Sequence, residues 1–423
     1  MRRLTLAFST ACGGEQGRGR TALERARGLR CATGPHPRLP PHAGAGARVC
    51  ARIVCGVALA AWVFLGAGAA LARDDNRFIN KDWELACDNT RTCRAAGYQV
   101  DTGNERPVSL RITRAAGPNA PIAMTMKIEA DTDEQADSIL QKGLLLQIGT
   151  VSLRVLKAVS ETETPYFFRH ILRLTLTSEQ VRAALPEMLN ASEAPIWIGS
   201  NANGDPDGRL SLNGLNAVLL KMDDWQGRVG TPGALVRRGG KPESSVLPPL
   251  PLPVVRVAAP VATRPADANL IGRIFPLLDL AVINDVCGDK AFSRGRRKVN
   301  RLTNQHILLS FQCPAGFGDG VIWYWIADDK PPYTLQAVDT QEDGNYEHTG
   351  GFDSVTMSIE SIGRNGGNET DCMNIKFWHF NGQKFVLTRS SSDSLCRGFD
   401  DGAWDLPTYV AKVIPAASQP KKP

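Results

Sequence analysis

Two adjacent carboxylates and a guanidinium follow one another near the end of a predicted helix. Asp223 and Asp224 lie in its C-terminal part, and Arg228 follows just beyond it. The helix dipole disfavours negative charge at this end by about 0.3–1 kcal/mol per group. A pattern that breaks such a rule is a candidate functional site, here a binding site or an acid/base site. The alternative, which we favour, is a structural cap in which Arg228 or another cation neutralises the carboxylates.

An aromatic platform is the second candidate site. Trp323 and Trp325 belong to a predicted strand, and Trp378 belongs to a predicted hairpin. Exposed aromatic faces bind sugar rings or peptides, whereas the same residues in a sheet core serve only for packing. Strand periodicity does not separate these two arrangements, and we expect core packing.

The sequence lacks the motifs of common catalytic and cofactor sites. It contains no G-x-S-x-G, H-E-x-x-H, phosphate-binding loop or dinucleotide fingerprint. No Cys/His cluster has zinc-ligand spacing, and a calcium-like start at residues 203–208 has Gly214 where a bidentate Glu belongs. We therefore predict no metal and no cofactor. Triads built from dispersed residues stay open, and the possible bases are His170, His306, His348 and His379.

The N-terminus carries an export signal. Residues 53–70 form an apolar stretch that follows Arg48 and Arg52 and leads into the cleavage-site triplet Ala70-Leu71-Ala72. This is the pattern of a secretory signal peptide. We expect cleavage after Ala72, no stable membrane span afterwards, and a periplasmic or secreted protein. A retained membrane anchor is the alternative.

The positive charge of the chain belongs to this N-terminal segment. The whole chain has 49 basic and 43 acidic residues, but residues 1–72 hold ten Arg and only two acids. The remaining chain has 39 basic and 41 acidic residues, a net charge of −2. Nucleic acid is therefore not an expected partner.

Six cysteines lie beyond the signal peptide: Cys87, Cys93, Cys287, Cys313, Cys372 and Cys396. An even number in an exported protein predicts three disulfides, although sequence alone leaves the pairing open. Cys87 and Cys93 flank a turn-forming segment, so a hairpin would join them. Sequence proximity pairs Cys287 with Cys313. It also pairs Cys372 with Cys396.

Composition divides the rest of the chain. Prolines cluster in residues 231–269, which predicts a linker with a stiff polyproline II segment. The linker would separate an N-terminal α+β domain, residues 73–230, from a C-terminal β-rich domain, residues 270–416. Residues 417–423 form a tail.

The first domain is predicted to contain a hairpin and two helices. Residues 108–113 and 123–128 alternate around a Gly-Pro-Asn turn, which indicates two antiparallel strands. Thr177 with Gln180 forms a capping box at the start of one helix. Residues 215–222 place four apolar side chains on one face of the other helix, with Ser211 or Asn213 available as its cap.

The second domain is predicted to be rich in strands. Residues 321–326 are apolar on both faces, which indicates a central strand. An Asn381-Gly382 pair between two aromatic-containing strands predicts a hairpin with a type I′ turn. The whole pattern predicts an α+β fold, mainly β. It would consist of two β-rich domains, the first with two packed helices, joined by the Pro-rich linker.

Three segments carry a resemblance to a known family. Residues 81–98, residues 219–231 and the ending from Cys396 to Trp404 resemble a family of bacterial envelope proteins known as domain of unknown function 1176 (DUF1176). The Trp-x-x-x-Cys opening is more distantly similar to invasion-associated locus B proteins. The resemblance implies export and the cysteine pattern, but no activity, cofactor or catalytic residue. The sequence departs from the family pattern at Met373 and after Cys313.

These observations lead to two functional hypotheses. The first is an exported, disulfide-stabilised, non-catalytic binding module for an envelope protein or a cell-wall glycan. The second is an envelope hydrolase whose acid/base group comes from Asp223, Asp224 or a histidine.

Overall fold

Alternating apolar residues build the strands of the first half of the chain. The structure is a computed structural model and describes residues 76–101, 106–155, 158–161, 170–279, 295–313, 321–340, 351–364, 372–399 and 402–416. The predicted signal peptide, Cys287 and the tail lie outside the described residues. The strands of the first half are β1 (Arg77–Asn80), β2 (Trp83–Cys87), β3 (Cys93–Tyr98), β4 (Val108–Arg114), β5 (Ile122–Ala130), β6 (Leu144–Ile148), β7 (Val151–Val155), β8 (Ala158–Glu161), β9 (His170–Thr175), β10 (Glu193–Ile198) and β11 (Gly208–Ser211).

Antiparallel pairing joins these strands into two sheets. The first has the order β1-β2-β3-β4-β5-β9-β8, and the second has the order β11-β10-β6-β7. The predicted hairpin is confirmed as β4 and β5, with Val108 opposite Ile128.

Three α-helices pack against these sheets around one apolar core: α1 (Asp133–Lys142), α2 (Ser178–Met188) and α3 (Leu215–Trp225). α2 begins with the predicted capping box of Thr177 and Gln180. α3 buries the predicted apolar face. Sequence patterns predict these two helices, and α1 is an additional one.

The cap of α3 differs from the prediction. Its N-cap is Gly214, at φ 100°, and neither Ser211 nor Asn213 caps it. A Cβ at Gly214 would lie 1.9 Å from the carbonyl oxygen of Asn80. This close approach and the positive φ together require glycine.

The second half of the chain is also rich in strands. Its elements are β12 (Val254–Arg256), α4 (Leu270–Ile274), β13 (Arg296–Arg301), β14 (His306–Gln312), β15 (Ile322–Asp328), β16 (Leu335–Ala337), β17 (Phe352–Asp353), β18 (Ser358–Arg364), β19 (Met373–Phe380), β20 (Phe385–Ser392), β21 (Pro407–Val410) and β22 (Lys412–Ile414). Two antiparallel sheets form, with the orders β13-β14-β15-β16 and β17-β18-β19-β20-β21. They share a core that includes Tyr324 and Trp378. α4 packs with a second cluster on the β13–β16 sheet.

The aromatic hairpin is confirmed as β19 and β20, but its predicted type I′ turn is wrong. Phe380 pairs with Phe385, so the loop has four residues. Gly382 has a positive φ, whereas Asn381 does not. Asn381 Oδ1 instead accepts hydrogen bonds from the backbone N–H groups of Gln383 and Lys384. This side-chain closure replaces the two-residue turn.

The Pro-rich segment packs along the fold for part of its length. Leu235 is buried in the core of the first half. Val255 is buried in β12, which pairs in parallel with β22 near the end of the chain. The segment therefore has fixed contacts near its start, at Leu235, and in its second half, at Val255.

A C-terminal segment that includes Phe399 and Leu406 covers the second face of the first sheet. Phe399 and Leu406 pack with Ala86, Ala96 and Tyr98 in an apolar cluster. Because both faces of β2 are covered, all five of its residues are buried.

The described chain has the α+β class, mainly β, that the sequence predicts. Within this part of the chain, no helix has the length and apolar character needed to cross a bilayer.

Candidate functional site

Asp223 holds the end of α3 to the segment that follows. Its Oδ2 accepts hydrogen bonds from the backbone N–H groups of Leu235, at 2.7 Å, and Val236, at 3.1 Å. Arg114 Nη1 lies 3.6 Å from Oδ1. Burial raises the pKa of Asp223, and the two backbone hydrogen bonds act against this rise. These donors explain why a carboxylate is tolerated at the negative end of the helix dipole.

Arg228 is fully buried and hydrogen-bonds to the loop after β4. Its Nη2 donates to the carbonyl oxygens of Ala115, at 3.1 Å, and Gly117, at 2.6 Å. Its Nη1 lies 3.3 Å from Glu243 Oε1. Burial lowers the pKa of Arg228, whereas the charge of Glu243 raises it.

Asp224 has a different environment from Asp223 and Arg228. Its side chain is 62% exposed and lies 3.2 Å from Lys221 Nζ. The structure therefore brings Asp223 and Arg228 into one buried region and leaves Asp224 at the surface. The three side chains do not face a common cleft.

The three candidate tryptophans lie in different environments. Trp323 and Trp325 are partly buried, and their rings stack with centroids 6.5 Å apart. Trp378 is 4% exposed and packs in the core between the two sheets of the second half. A surface for stacking could therefore use the Trp323–Trp325 pair but not Trp378.

Two predicted disulfides form as expected. Cys87 joins Cys93 across the β2–β3 hairpin, and Cys372 joins Cys396. Cys313 is also disulfide-bonded, and its expected partner Cys287 lies outside the described residues.

A cleft of about 450 Å³ opens beside β19. Its walls include Val257, Ala259, Val413 and Pro415 from the β12–β22 region, Val355 from the β17–β18 turn, and His379 from β19. Aliphatic walls with few polar groups are typical of ligand sites. The sequence marks His379 as a possible base, but no sequence pattern indicates this cleft.

The hydrogen bonds of His379 fix the role of each ring nitrogen. Thr388 Oγ1 donates to the carbonyl oxygen of Phe377, at 3.0 Å, and lies 2.8 Å from His379 Nδ1. Because the Thr388 proton is already used, Nδ1 must donate to that oxygen. Burial lowers the pKa of His379, which favours the neutral ring. Nε2 is then an acceptor, without a hydrogen-bond partner in the described parts of the chain.

A β-bulge places Thr388 beside this histidine. Trp378 pairs with Leu387 and Phe377 pairs with Arg389, which leaves Thr388 as the extra residue of β20. Bulges re-aim side chains and are common next to functional sites. The bulge therefore supports His379 as part of a built site.

A buried carboxyl pair lies elsewhere, between the first sheet and the chain end. Tyr98 Oη lies 2.7 Å from Glu84 Oε1 and 3.1 Å from Asp393 Oδ1. Burial, together with the charge of Glu84, raises the pKa of Asp393 to about 8. Glu84 and Tyr98 are 0% exposed, and Asp393 is 2% exposed. The pair has the chemistry of an acid/base site, but no substrate can reach it in this structure.

Comparison with known proteins gives a family and no activity. The profile of the family described as "Protein of unknown function (DUF1176)" matches residues 77–411. The Escherichia coli K12 protein called "Uncharacterized protein YpfG" is 26% identical over 331 residues, which are 74% of this chain and 87% of that protein. The crystal structure of invasion associated protein B from Bartonella henselae matches with a TM-score of 0.25 and 13% identity, over 36% of this chain and 98% of that one.

The family match covers most of the chain, including the β2–β3 disulfide, the Cys372–Cys396 disulfide and His379. The chain therefore belongs to the DUF1176 family of proteins of unknown function.

Proposed function

We propose that this chain is an exported, non-catalytic binding protein, and that its cleft at His379 receives an apolar group of another envelope protein. The cleft itself carries the proposal. Its volume of about 450 Å³ lies within the range of about 300–1,000 Å³ that is usual for ligand sites. His379 Nε2 would accept one hydrogen bond and orient the bound group.

The chemistry of the walls favours a protein over a glycan. Valine, alanine and proline side chains remove apolar surface from water, whereas sugar hydroxyls buried against them would lose their hydrogen bonds. Thr356 is the second polar side chain of the described lining, and its hydroxyl already donates to Asp353 at 2.7 Å. A cell-wall glycan is the second candidate partner, favoured by the stacked Trp323–Trp325 pair.

The proposed location follows from the cysteines and the N-terminal sequence. The disulfides fit an oxidising, non-cytoplasmic compartment. The predicted signal peptide would deliver the chain to the periplasm or the medium.

A hydrolase is the second candidate function, and one observation favours it. A neutral imidazole with a free Nε2 in a cleft is what a general base requires. However, the described lining contains no carboxylate, and the Glu84–Asp393 pair is closed to solvent. Binding therefore explains this cleft better than catalysis.

Photo-cross-linking from the rim of the cleft tests the proposal. Val355 is 78% exposed, so replacing it with p-benzoylphenylalanine should not disturb the core. We expect one discrete cross-linked envelope protein. Ala259→Trp, which fills the cleft from an exposed position, should abolish the adduct. Ala262→Trp, at an exposed position outside the lining, should preserve it.

Two results would contradict binding at this cleft. One is an adduct that survives Ala259→Trp, and the other is the absence of any discrete adduct. Turnover of an ester, amide or glycoside substrate that disappears in His379→Ala would instead favour the hydrolase. Binding of muropeptides that disappears in Trp325→Ala would favour the glycan.

A further inference from the structure

We propose that a second, basic groove between the two sheets of the second half binds a single phosphate group. The groove is separate from the His379 cleft and has a volume of about 180 Å³. Its lining includes Arg296, Lys298 and Tyr324.

Strand register places the polar side chains in adjacent rows. Arg296 and Lys298 are two positions apart on β13, so their side chains point to the same face of the sheet, and this face lines the groove. Arg296 pairs with Gln312, and Lys298 pairs with Ser310 on β14. Ser310 in turn pairs with Tyr324 on β15. Two cations, a hydroxyl and an amide therefore line one side of the groove above the phenol of Tyr324.

The phenol of Tyr324 is the most informative of these groups. Tyr324 is only 5% exposed, and its hydroxyl has no hydrogen-bond partner in the described residues. Because this phenol lines the groove and forms no hydrogen bond within the described residues, its proton is available to an acceptor bound there. Burial raises the pKa of Tyr324, which keeps the phenol protonated and able to donate.

The side chains of Arg296 and Lys298 are also available to bind an anion. Within the described residues, neither Arg296 nor Lys298 forms an ion pair. By contrast, Arg297 on the opposite face of the strand lies over the ring of Phe275, at 4.2 Å. The described lining of the groove contains no carboxylate that would neutralise the two charges.

Size and chemistry together select the ligand class. A lining of donors with two positive charges selects an anion, and Arg and Lys are common phosphate ligands. The volume of about 180 Å³ accommodates a phosphate group. Phe352 and Ile322 add an apolar edge that suits the organic part of a phosphate ester. The phosphate could be a free ion or the headgroup of a phospholipid.

Calorimetry with inorganic phosphate at low ionic strength, on the disulfide-bonded chain, tests the proposal. Tyr324→Phe removes only the hydroxyl and should weaken phosphate binding about tenfold. The double variant R296Q/K298Q should weaken it by about 100-fold or more. The control R256Q/K412Q removes two exposed positive charges elsewhere and should leave the affinity unchanged. Melting temperatures check that each variant is folded.

A second arm distinguishes the two sources of phosphate. Flotation with vesicles containing phosphatidylglycerol, compared with phosphatidylcholine alone, detects headgroup binding. Binding of either probe with the expected order of variants supports the site and identifies its source. The proposal is overturned if neither probe binds, if folded Tyr324→Phe and R296Q/K298Q bind as tightly as the parent, or if the control variant weakens binding equally.

Discussion

The hydroxyl of Tyr98 lies 3.1 Å from a carboxylate oxygen of Asp393, although the two residues are 295 positions apart in the chain. The same hydroxyl lies 2.7 Å from Glu84, which forms a salt bridge with Arg77 at 2.9 Å. A single phenolic proton cannot serve both carboxyls. Burial and the charge of Glu84 raise the pKa of Asp393 to about 8, so Asp393 supplies a second proton. Protonation thus helps to hold the chain end against the first sheet.

The free energy of unfolding should fall as pH rises from about 4 to about 8. Between the unfolded pKa of 3.8 and the folded pKa of about 8, the folded state binds more protons at Asp393 than the unfolded state does. Its contribution is therefore complete below about pH 4 and is lost by about pH 8, a decrease on the order of 6 kcal/mol. Urea unfolding at pH 5 and pH 8.5 measures most of this decrease. Asp393→Asn should flatten this dependence, and an unchanged slope would contradict the assignment.

Arg228 and Asp224 should differ sharply in their effect on stability. Arg228→Met leaves the carbonyl oxygens of Ala115 and Gly117 and the Glu243 carboxylate without the buried guanidinium, so we expect a loss of about 3–5 kcal/mol. Asp224→Asn changes an exposed pair with Lys221 and should cost less than about 0.5 kcal/mol. Urea denaturation of both variants provides the comparison. Equal losses would show that the exposed aspartate has a role that its surroundings do not explain.

The Cys372–Cys396 disulfide should contribute measurably to stability. It closes a loop with a sequence separation of 24, for which the chain-entropy relation gives about 3 kcal/mol. We expect C372A/C396A to lose about this amount in urea unfolding. The Cys87–Cys93 bridge, with a separation of 6, should contribute about 2 kcal/mol. A larger loss for the shorter loop would contradict this ranking.

His379 should be neutral at pH 7, with its proton on Nδ1. The hydroxyl of Thr388 is already committed to Phe377 and accepts from that nitrogen, and burial lowers the pKa of the ring. Long-range ¹H–¹⁵N spectra distinguish the two tautomers directly. Thr388→Val removes the acceptor and should abolish the preference for Nδ1–H. A dominant Nε2–H tautomer in the parent chain would overturn the assignment of Nε2 as the acceptor.

Local patterns in the sequence were sufficient for several elements. The alternation in β4 and β5 and the capping box of α2 depend on neighbouring residues, and both occur as predicted. The helix α1 was missed because only Ala136 and Ile139 are buried among its ten residues, so its apolar period is weak. A signal was nevertheless present, since Thr132 accepts from the Gln135 N–H as an N-cap.

The candidate site depended on information that local patterns lack. A two-residue turn at Asn381-Gly382 would place His379 opposite Lys384, whereas the four-residue loop places it opposite Val386. This register, with the bulge at Thr388, creates the His379–Thr388 hydrogen bond. The cleft also requires the parallel pairing of β12 and β22, which lie more than 150 residues apart in sequence. No periodicity within one segment reveals such a pairing.

Binding of a neutral apolar probe to the cleft tests the central claim most directly. N-phenyl-1-naphthylamine combines aromatic rings with one N–H donor, which matches the aliphatic walls and the Nε2 acceptor of His379. The fluorescence of the probe should rise on binding to the parent chain and to Ala262→Trp. Its affinity should be about tenfold lower for His379→Ala, and Ala259→Trp should not bind it. Equal binding by the parent chain and folded Ala259→Trp, or no binding by the parent chain, would contradict the account.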